Sequence, residues 1–177
     1  MPTLSKYLKS LSPEVLRKEI LLLHRLFPEV REFYQAKLSE DGERTLLARY
    51  KRIIQNEFAP ERGFPDARLS VARKAINDFS KLSKDKKKIA DLMLLYVEMG
   101  VLFTNTYGDI DEPFYNSMGK MYEKVAHYVV NAGLKDVFLE RFEKIVRTTQ
   151  GIGWGFSDDL TDTFETYFLK KTTWVLN

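Results

Sequence analysis

Apolar side chains recur every three or four residues along most of the chain. After Ser12-Pro13-Glu14, the large apolar residues Leu16, Ile20, Leu23 and Phe27 share one helical face. A hydroxyl residue, then Pro, then an acid is typical of a helix N-terminus. No alternating strand pattern of useful length occurs, and only the tail 172–176 is strand-like. The pattern therefore predicts an all-α protein.

The same spacing predicts eight helices, with a short turn of helix before them at Leu4, Leu8 and Leu11. The links between the helices are short, which favours antiparallel neighbours. We therefore expect one helical domain over residues 1–177, stacked as helical hairpins in a short α-solenoid-like array or an irregular bundle. The predicted helices cover residues 13–26, 29–38, 43–58, 67–82, 86–105, 112–132, 135–149 and 158–169.

Local signals mark several helix ends. Asp111 is the expected N-cap of the helix over 112–132, and Gly133 is its expected C-terminal stop. The helix over 86–105 has an apolar surface wider than a third of its circumference, which predicts a central position in the fold.

Composition excludes several classes of protein. The chain has no Cys, so disulfides, thiol catalysis and cysteine-ligated zinc are excluded. The N-terminus shows no apolar signal region, and the apolar stretch 92–101 contains Glu98 and is shorter than the roughly 20 residues that span a bilayer. We expect a cytoplasmic protein that does not enter membranes.

The charge is unevenly distributed along the chain. The net charge is +3, but residues 1–90 carry +8 and residues 91–177 carry −5. A basic run on the predicted helix 67–82 and at the start of 86–105 makes phosphate-backbone binding an alternative function, although no nucleic-acid motif accompanies it. Its cations are Arg73, Lys74, Lys81, Lys84, Lys87 and Lys88.

Three glycine-bearing links, 59–66, 106–111 and 150–157, fall on one edge if the helices alternate up and down. Loops on a rigid scaffold carry function disproportionately, and aromatic residues beside Arg and Asp offer stacking, charge and hydrogen bonds. The edge is the candidate ligand-binding site. Its candidate residues, with those at the loop ends, are Arg62, Phe64, Arg68, Asn105, Tyr107, Asp109, Trp154, Phe156 and Asp158.

Catalytic and metal chemistry is weakly supported. The two histidines, His24 and His127, have no metal-ligand spacing around them. The stretch from Asp109 departs from a calcium loop, because Phe114 replaces its glycine and Lys120 its final glutamate. The glycines of 151–155 follow a helix and lack dinucleotide-fold spacing. We predict no metal and no cofactor, and an enzyme at the loop edge that uses the carboxylate of Asp109, Asp111 or Asp158 stays a second alternative.

Three strings in the chain are distinctive: RGFPDARLSVA from Arg62, TNTYGDIDEPFYNSM from Thr104, and GIGWGFSDD from Gly151. In these strings, and over most of its length, the chain resembles a family of small bacterial proteins of unknown function. The resemblance implies a bacterial source and supplies no activity, cofactor or site residue.

We therefore favour a non-enzymatic module that binds a peptide or protein segment at the loop edge, since stacked helical hairpins commonly present such surfaces. Nucleic acid is the alternative partner. The sequence leaves the oligomeric state open.

Overall fold

The computed structural model describes residues 3–39 and 41–169, and within these ranges every regular element is helical. This confirms the all-α prediction. The strand-like tail at 172–176 lies outside the described residues. The elements are α1 (Leu4–Ser10), α2 (Pro13–Leu26), α3 (Pro28–Leu38), α4 (Gly42–Phe58), α5 (Leu69–Leu82), α6 (Lys86–Tyr107), α7 (Glu112–Asn131), α8 (Lys135–Thr148), α9 (Phe156–Phe164) and a π-helical turn (Glu165–Leu169).

The chain separates into two compact units, Met1–Leu46 and Leu47–Asn177. In the first unit α2 packs on α3, and the Ser12 hydroxyl accepts a hydrogen bond from the Val15 N–H with Pro13 in the first turn, as predicted. The helices α1, α2 and α3 contain no fully buried side chain. The expectation of a single domain over 1–177 stays a prediction.

The second unit is built around α6, which packs on α5, α7 and α8. Leu92, Leu94, Tyr96 and Val97 of α6 have no exposed surface. Burying a large apolar side chain contributes about 1.5–3 kcal/mol relative to leaving it in water. By length and composition α6 alone among the described helices is apolar enough to cross a membrane, but half of that stretch is buried inside the protein, so the match is weak evidence for a membrane span.

Aromatic rings fill the contact between α7, α8 and the C-terminal helix. The Phe142 ring centroid lies 4.9 Å from that of Tyr122 and 4.6 Å from that of Phe168. Phe168 belongs to the π-helical turn, where a regular helix to residue 169 is predicted. Phe164 and Phe168 both stay on the core across this change of helix type, with ring centroids 5.3 Å apart.

Local signals place most helix ends correctly. The side chain of Asp111 accepts from the Phe114 N–H at 2.8 Å, and Gly133 has φ +68° with the Leu134 N–H bonded to the Val129 carbonyl. The start of α5 is different, because Ala67 is left-handed and Arg68 is extended. The Ala67 N–H donates to the Glu57 carbonyl and the Arg68 N–H donates to the Glu57 carboxylate. The helix therefore begins two residues later than predicted.

A four-residue charge cluster joins α4, α6 and α8. The Arg141 guanidinium donates two hydrogen bonds of 2.7 Å to the Glu98 carboxylate and one of 2.6 Å to Asp91. Lys51 pairs with the other oxygen of Asp91 at 2.6 Å. The cluster is partly buried, so its charges are screened less than those of a surface pair.

We expect Arg141→Leu to lower the free energy of unfolding by about 1–3 kcal/mol, because it leaves the partly buried Glu98 carboxylate without its partner and leaves Asp91 with Lys51 alone. Chemical denaturation measures the change. Lys144→Leu on the same helix removes the same charge from an exposed position, and we expect it to stay within about 0.5 kcal/mol of the wild type. Equal losses in the two variants would contradict a stabilising role for the cluster.

The buried phenol of Tyr122 predicts a loss of stability at alkaline pH. Burial raises the pKa of Tyr122 above its ordinary value, and its hydroxyl donates to the Phe142 carbonyl at 3.1 Å. The unfolded chain therefore releases this proton near pH 10 while the folded chain keeps it, so the stabilisation is complete below pH 10 and is lost as pH rises.

Between pH 9 and pH 11 we expect the free energy of unfolding to fall by about 1.4 kcal/mol more in the wild type than in Tyr122→Phe. Urea titrations at the two pH values measure both falls. An identical fall in the two proteins would show that folding does not protect the Tyr122 proton.

Candidate functional site

The loops 106–111 and 150–157 meet at one end of the second unit. The Asn105 amide donates to the Thr148 carbonyl at 3.0 Å, which joins the last turns of α6 and α8. A Cβ placed on Gly153 would lie 3.6 Å from Asp109 Oδ2. Beneath the loops, the Tyr115 and Phe156 rings are 5.0 Å apart. These contacts bring two of the three predicted loops side by side.

Tyr115 holds the first of these loops in place. Its hydroxyl donates to Asp109 Oδ1 at 2.8 Å and accepts from the Ile110 N–H at 3.3 Å. Thr104 Oγ1 lies 2.7 Å from the same hydroxyl and 3.1 Å from the Gly108 carbonyl. Burial is the main cause of the raised pKa of Tyr115, to which the Asp109 carboxylate adds, so the phenol remains a donor. The loop is therefore presented in one conformation.

The second loop carries an exposed tryptophan on an unusual backbone. Gly151 and Gly155 have φ of +86° and +68°, which glycine adopts freely. Trp154 between them has φ +62° although it has a side chain, and such a conformation costs about 1–2 kcal/mol. The Trp154 side chain is 58% exposed, so burial offsets only part of that cost.

Tyr107 is the exposed aromatic residue of the first loop. Its ring centroid lies 5.0 Å from that of Phe103, and the side chain is 53% exposed. Residues 104–119 and 148–161 contain no Lys or Arg. We call these two loops, with the first turns of α7 and α9, the acidic rim. Its acids are Asp109, Asp111, Glu112, Asp158 and Asp159, all of them solvent-exposed.

The third loop, 59–66, is anchored at its base. The ring of Phe58 lies 6.1 Å from that of Phe103, which in turn contacts Tyr107. Arg68 binds the buried Glu57 carboxylate through two guanidinium bonds of 2.9 and 3.0 Å, and its backbone N–H donates to the same group. Arg68 therefore closes the loop on α4.

The predicted site residues fall into different environments. Asn105, Tyr107, Asp109, Trp154 and Asp158 belong to the two adjoining loops or to the helix ends beside them. Phe156 is only 2% exposed and packs in the core below them. Arg62 lines a separate shallow groove with Arg52 and Asn56, and Phe64 projects into solvent at 91% exposure.

The sequence analysis missed Tyr115 and Thr104, the two side chains that hold Asp109. Both look like core residues of α6 and α7 from their helical spacing. Their bonds to Asp109 and Gly108 form only once the two helices pack, so no local pattern reveals them.

Asp109 and Asp111, two of the predicted enzyme carboxylates, already have hydrogen-bond partners in the protein. Asp109 accepts from Tyr115, and Asp111 caps α7. Over residues 3–39 and 41–169, no group of three His, Asp or Glu side chains is arranged to hold a metal ion.

Several of the predicted nucleic-acid cations bind carboxylates of the protein. Lys74 and Lys81 both pair with Asp78, and Lys88 pairs with Asp85. Each pair lowers the positive potential that a phosphate backbone would meet. Lys84 and Lys87 are exposed at the start of α6, and Arg73 faces a different helix, α7.

A family model described as a family of unknown function, DUF6155, matches residues 2–167. The chain belongs to this family. Membership confirms the resemblance that the three strings suggested, whereas the bacterial source stays a prediction. Neither the curated proteins nor the solved structures contain a match to the chain.

We expect Tyr115→Phe to loosen the loop 106–111 without unfolding the protein, because the Ile110 N–H and the Asp109 carboxylate lose a shared partner. Amide hydrogen exchange of residues 108–111 should accelerate by about five- to thirtyfold, as expected when the lost hydrogen bonds lower the local stability by about 1–2 kcal/mol. Tyr128→Phe, which alters a half-buried tyrosine of the same helix, is the control. Unchanged exchange in Tyr115→Phe would show that the Tyr115 hydroxyl does not hold the loop 106–111 in place.

Proposed function

We propose that the protein is a non-enzymatic interaction module whose acidic rim binds a Lys- or Arg-bearing segment of a partner protein. The segment would lie over Tyr107 and Trp154 and be flanked by the rim carboxylates. Loop 59–66, the third part of the predicted edge, would extend this surface through Phe64.

The backbone of Trp154 is the observation that carries the proposal. Strained backbone conformations persist where the surrounding structure enforces them, and they concentrate at functional sites. Here the strain holds a large aromatic side chain in solvent, where it contributes little to the core. Glycine would fit the same turn without strain, so the tryptophan is better explained by a contact outside the protein.

Charge supports a cationic partner. An exposed Trp or Tyr attracts an ammonium or guanidinium group through the ring face, and neighbouring carboxylates add charge-assisted hydrogen bonds. Acids near a helix N-terminus also stabilise the helix dipole, which accounts for Asp111, Asp158 and Asp159. Asp109 precedes the cap of α7, and Tyr115 fixes it beside Gly153, so helix stability alone does not explain its position.

The geometry favours binding over catalysis. Asp109 accepts a hydrogen bond from the Tyr115 hydroxyl and Asp111 accepts one from the Phe114 N–H, so each carboxylate is oriented through one oxygen and keeps the other for a ligand. General acid–base catalysis relies on carboxyl groups that burial or a close neighbour tunes towards neutral pH, whereas these carboxylates are solvent-exposed. The rim instead offers exposed aromatic faces and fixed negative charge.

A displayed library of random peptides tests the proposal, with the wild-type protein as bait and Trp154→Gly as counter-bait. We expect selected peptides to be enriched in Lys and Arg, and synthetic copies of them to bind Trp154→Gly at least about tenfold more weakly. The variant should keep its stability within about 1 kcal/mol, because relief of the positive φ offsets the lost contacts.

Two further variants sharpen the result. Val137→Ala removes an exposed apolar side chain from α8 and should leave peptide binding unchanged. Phe64→Ala tests whether loop 59–66 is part of the binding surface. Weaker peptide binding by this variant would show that it is. Peptides that bind wild type and Trp154→Gly equally, or that show no enrichment in Lys and Arg, would refute the proposed rim.

A further inference from the structure

A second groove, between α5 and α7, has the opposite charge. It has a volume of about 520 Å³ and is open to solvent. Three cations line it, Arg73 from α5 and Lys120 and Lys124 from α7. The remaining lining residues are Pro113, Asn116, Ser117 and Met121.

The three cations have no carboxylate partner among the described residues. No ion pair joins Arg73, Lys120 or Lys124 to Asp or Glu, in contrast to Lys74 one residue away on α5. The Glu112 carboxylate reaches the groove, where its Oε1 accepts from the Asn116 amide at 3.4 Å, and the exposed Glu123 follows Lys120 by three residues without forming an ion pair with it. The positive charge of the groove is therefore left for an external anion.

The spacing of the two lysines adds to this argument. Lys120 and Lys124 are four residues apart on α7, so they lie one above the other on the same face. Like charges at this spacing destabilise a helix by a few tenths of a kcal/mol. A bound anion between them converts this repulsion into attraction.

Arg73 is held in position by a relay that reaches the core. Its Nη1 donates to Ser117 Oγ at 2.5 Å, and Ser117 Oγ lies 2.8 Å from the hydroxyl of Tyr96, which has no exposed surface. Arg73 contacts Ser117 and Tyr96, and the five N–H donors of the guanidinium leave further donors for a ligand. An oriented arginine beside two lysines is a geometry suited to phosphate oxygens.

We propose that the groove binds the phosphoryl group of a small phosphorylated molecule. The two or three negative oxygens of a phosphate or diphosphate match the three cations, and the Ser117 and Asn116 side chains add hydrogen-bonding groups. Pro113 and Met121 provide an apolar wall for the organic part of the ligand. The groove shares Pro113 with the acidic rim, but its cations lie further along α7, and the site does not depend on the function proposed for that rim.

NMR titration of the ¹⁵N-labelled protein with inorganic pyrophosphate tests the site at constant ionic strength. We expect saturable shifts concentrated at residues 73 and 116–124, and parallel titrations with inorganic phosphate, AMP and ADP identify the form that binds most tightly. Sulfate, which has similar geometry and lower charge, should bind more weakly.

The groove variant Lys120→Gln/Lys124→Gln should weaken pyrophosphate binding by at least about tenfold, because it removes two charge-assisted contacts. Lys84→Gln/Lys87→Gln is the matched control, with the same change of net charge at exposed positions just before α6 and in its first turn. Arg73→Gln should also weaken binding. Equal binding by the groove and control variants, or shifts that do not saturate, would overturn the proposal.

A single-stranded oligonucleotide completes the titration. If it binds far more tightly than pyrophosphate and the Lys84→Gln/Lys87→Gln control weakens it equally, the cations act together as a nucleic-acid surface, and the small-molecule proposal is refuted. Oligonucleotide binding no tighter than that of pyrophosphate, and sensitive only to the groove variant, would support it.

Discussion

The burial of α6 is the constraint on which the second unit depends. Its side chains contact α5, α7 and α8, so each of these three helices buries apolar surface against α6. Tyr96 and Thr104 are polar members of this buried set, and each lies below one of the two candidate surfaces. Tyr96 supports Ser117 and Arg73 at the basic groove, while Thr104 supports Tyr115 at the acidic rim.

Both surfaces are thus supported by the same kind of hydrogen-bonded contact. A hydroxyl on α6 bonds a hydroxyl on α7, and that second hydroxyl holds a charged side chain that faces solvent. Buried hydroxyls must be satisfied, because an unpaired one costs about 1–3 kcal/mol. The hydrogen bonds that these buried hydroxyls form therefore orient Asp109 and Arg73. A preoriented charge loses less entropy when it binds a ligand.

The charges also segregate along α7. Its N-cap Asp111 and first residue Glu112 are acidic, whereas Lys120 and Lys124, with one acid between them at Glu123, lie two to three turns further on. A helix rises 1.5 Å per residue, so the two sets are separated by about 12–20 Å along the helix, which exceeds the Debye length of about 8 Å at physiological salt. Each surface can consequently keep its own sign of potential, and one protein can present sites for a cation and an anion.

The positions of the helices could be predicted from the sequence because the signals for them are local. The caps at Ser12 and Asp111, the stop at Gly133 and the three- to four-residue spacing of apolar side chains all act within one or two turns. The exceptions have partners further away. The later start of α5 depends on Glu57, which lies in another helix eleven residues before Arg68.

The sequence by itself determined an all-α fold, the approximate ends of its helices and the choice of three unusual loops. Only the tertiary structure decided which of these loops adjoin, that Phe156 belongs to the core, and that Arg73 shares a groove with Lys120 and Lys124. These relations join residues up to 51 positions apart, between Arg73 and Lys124. Helical periodicity states which face of a helix is apolar, but the partner of that face depends on how the helices pack.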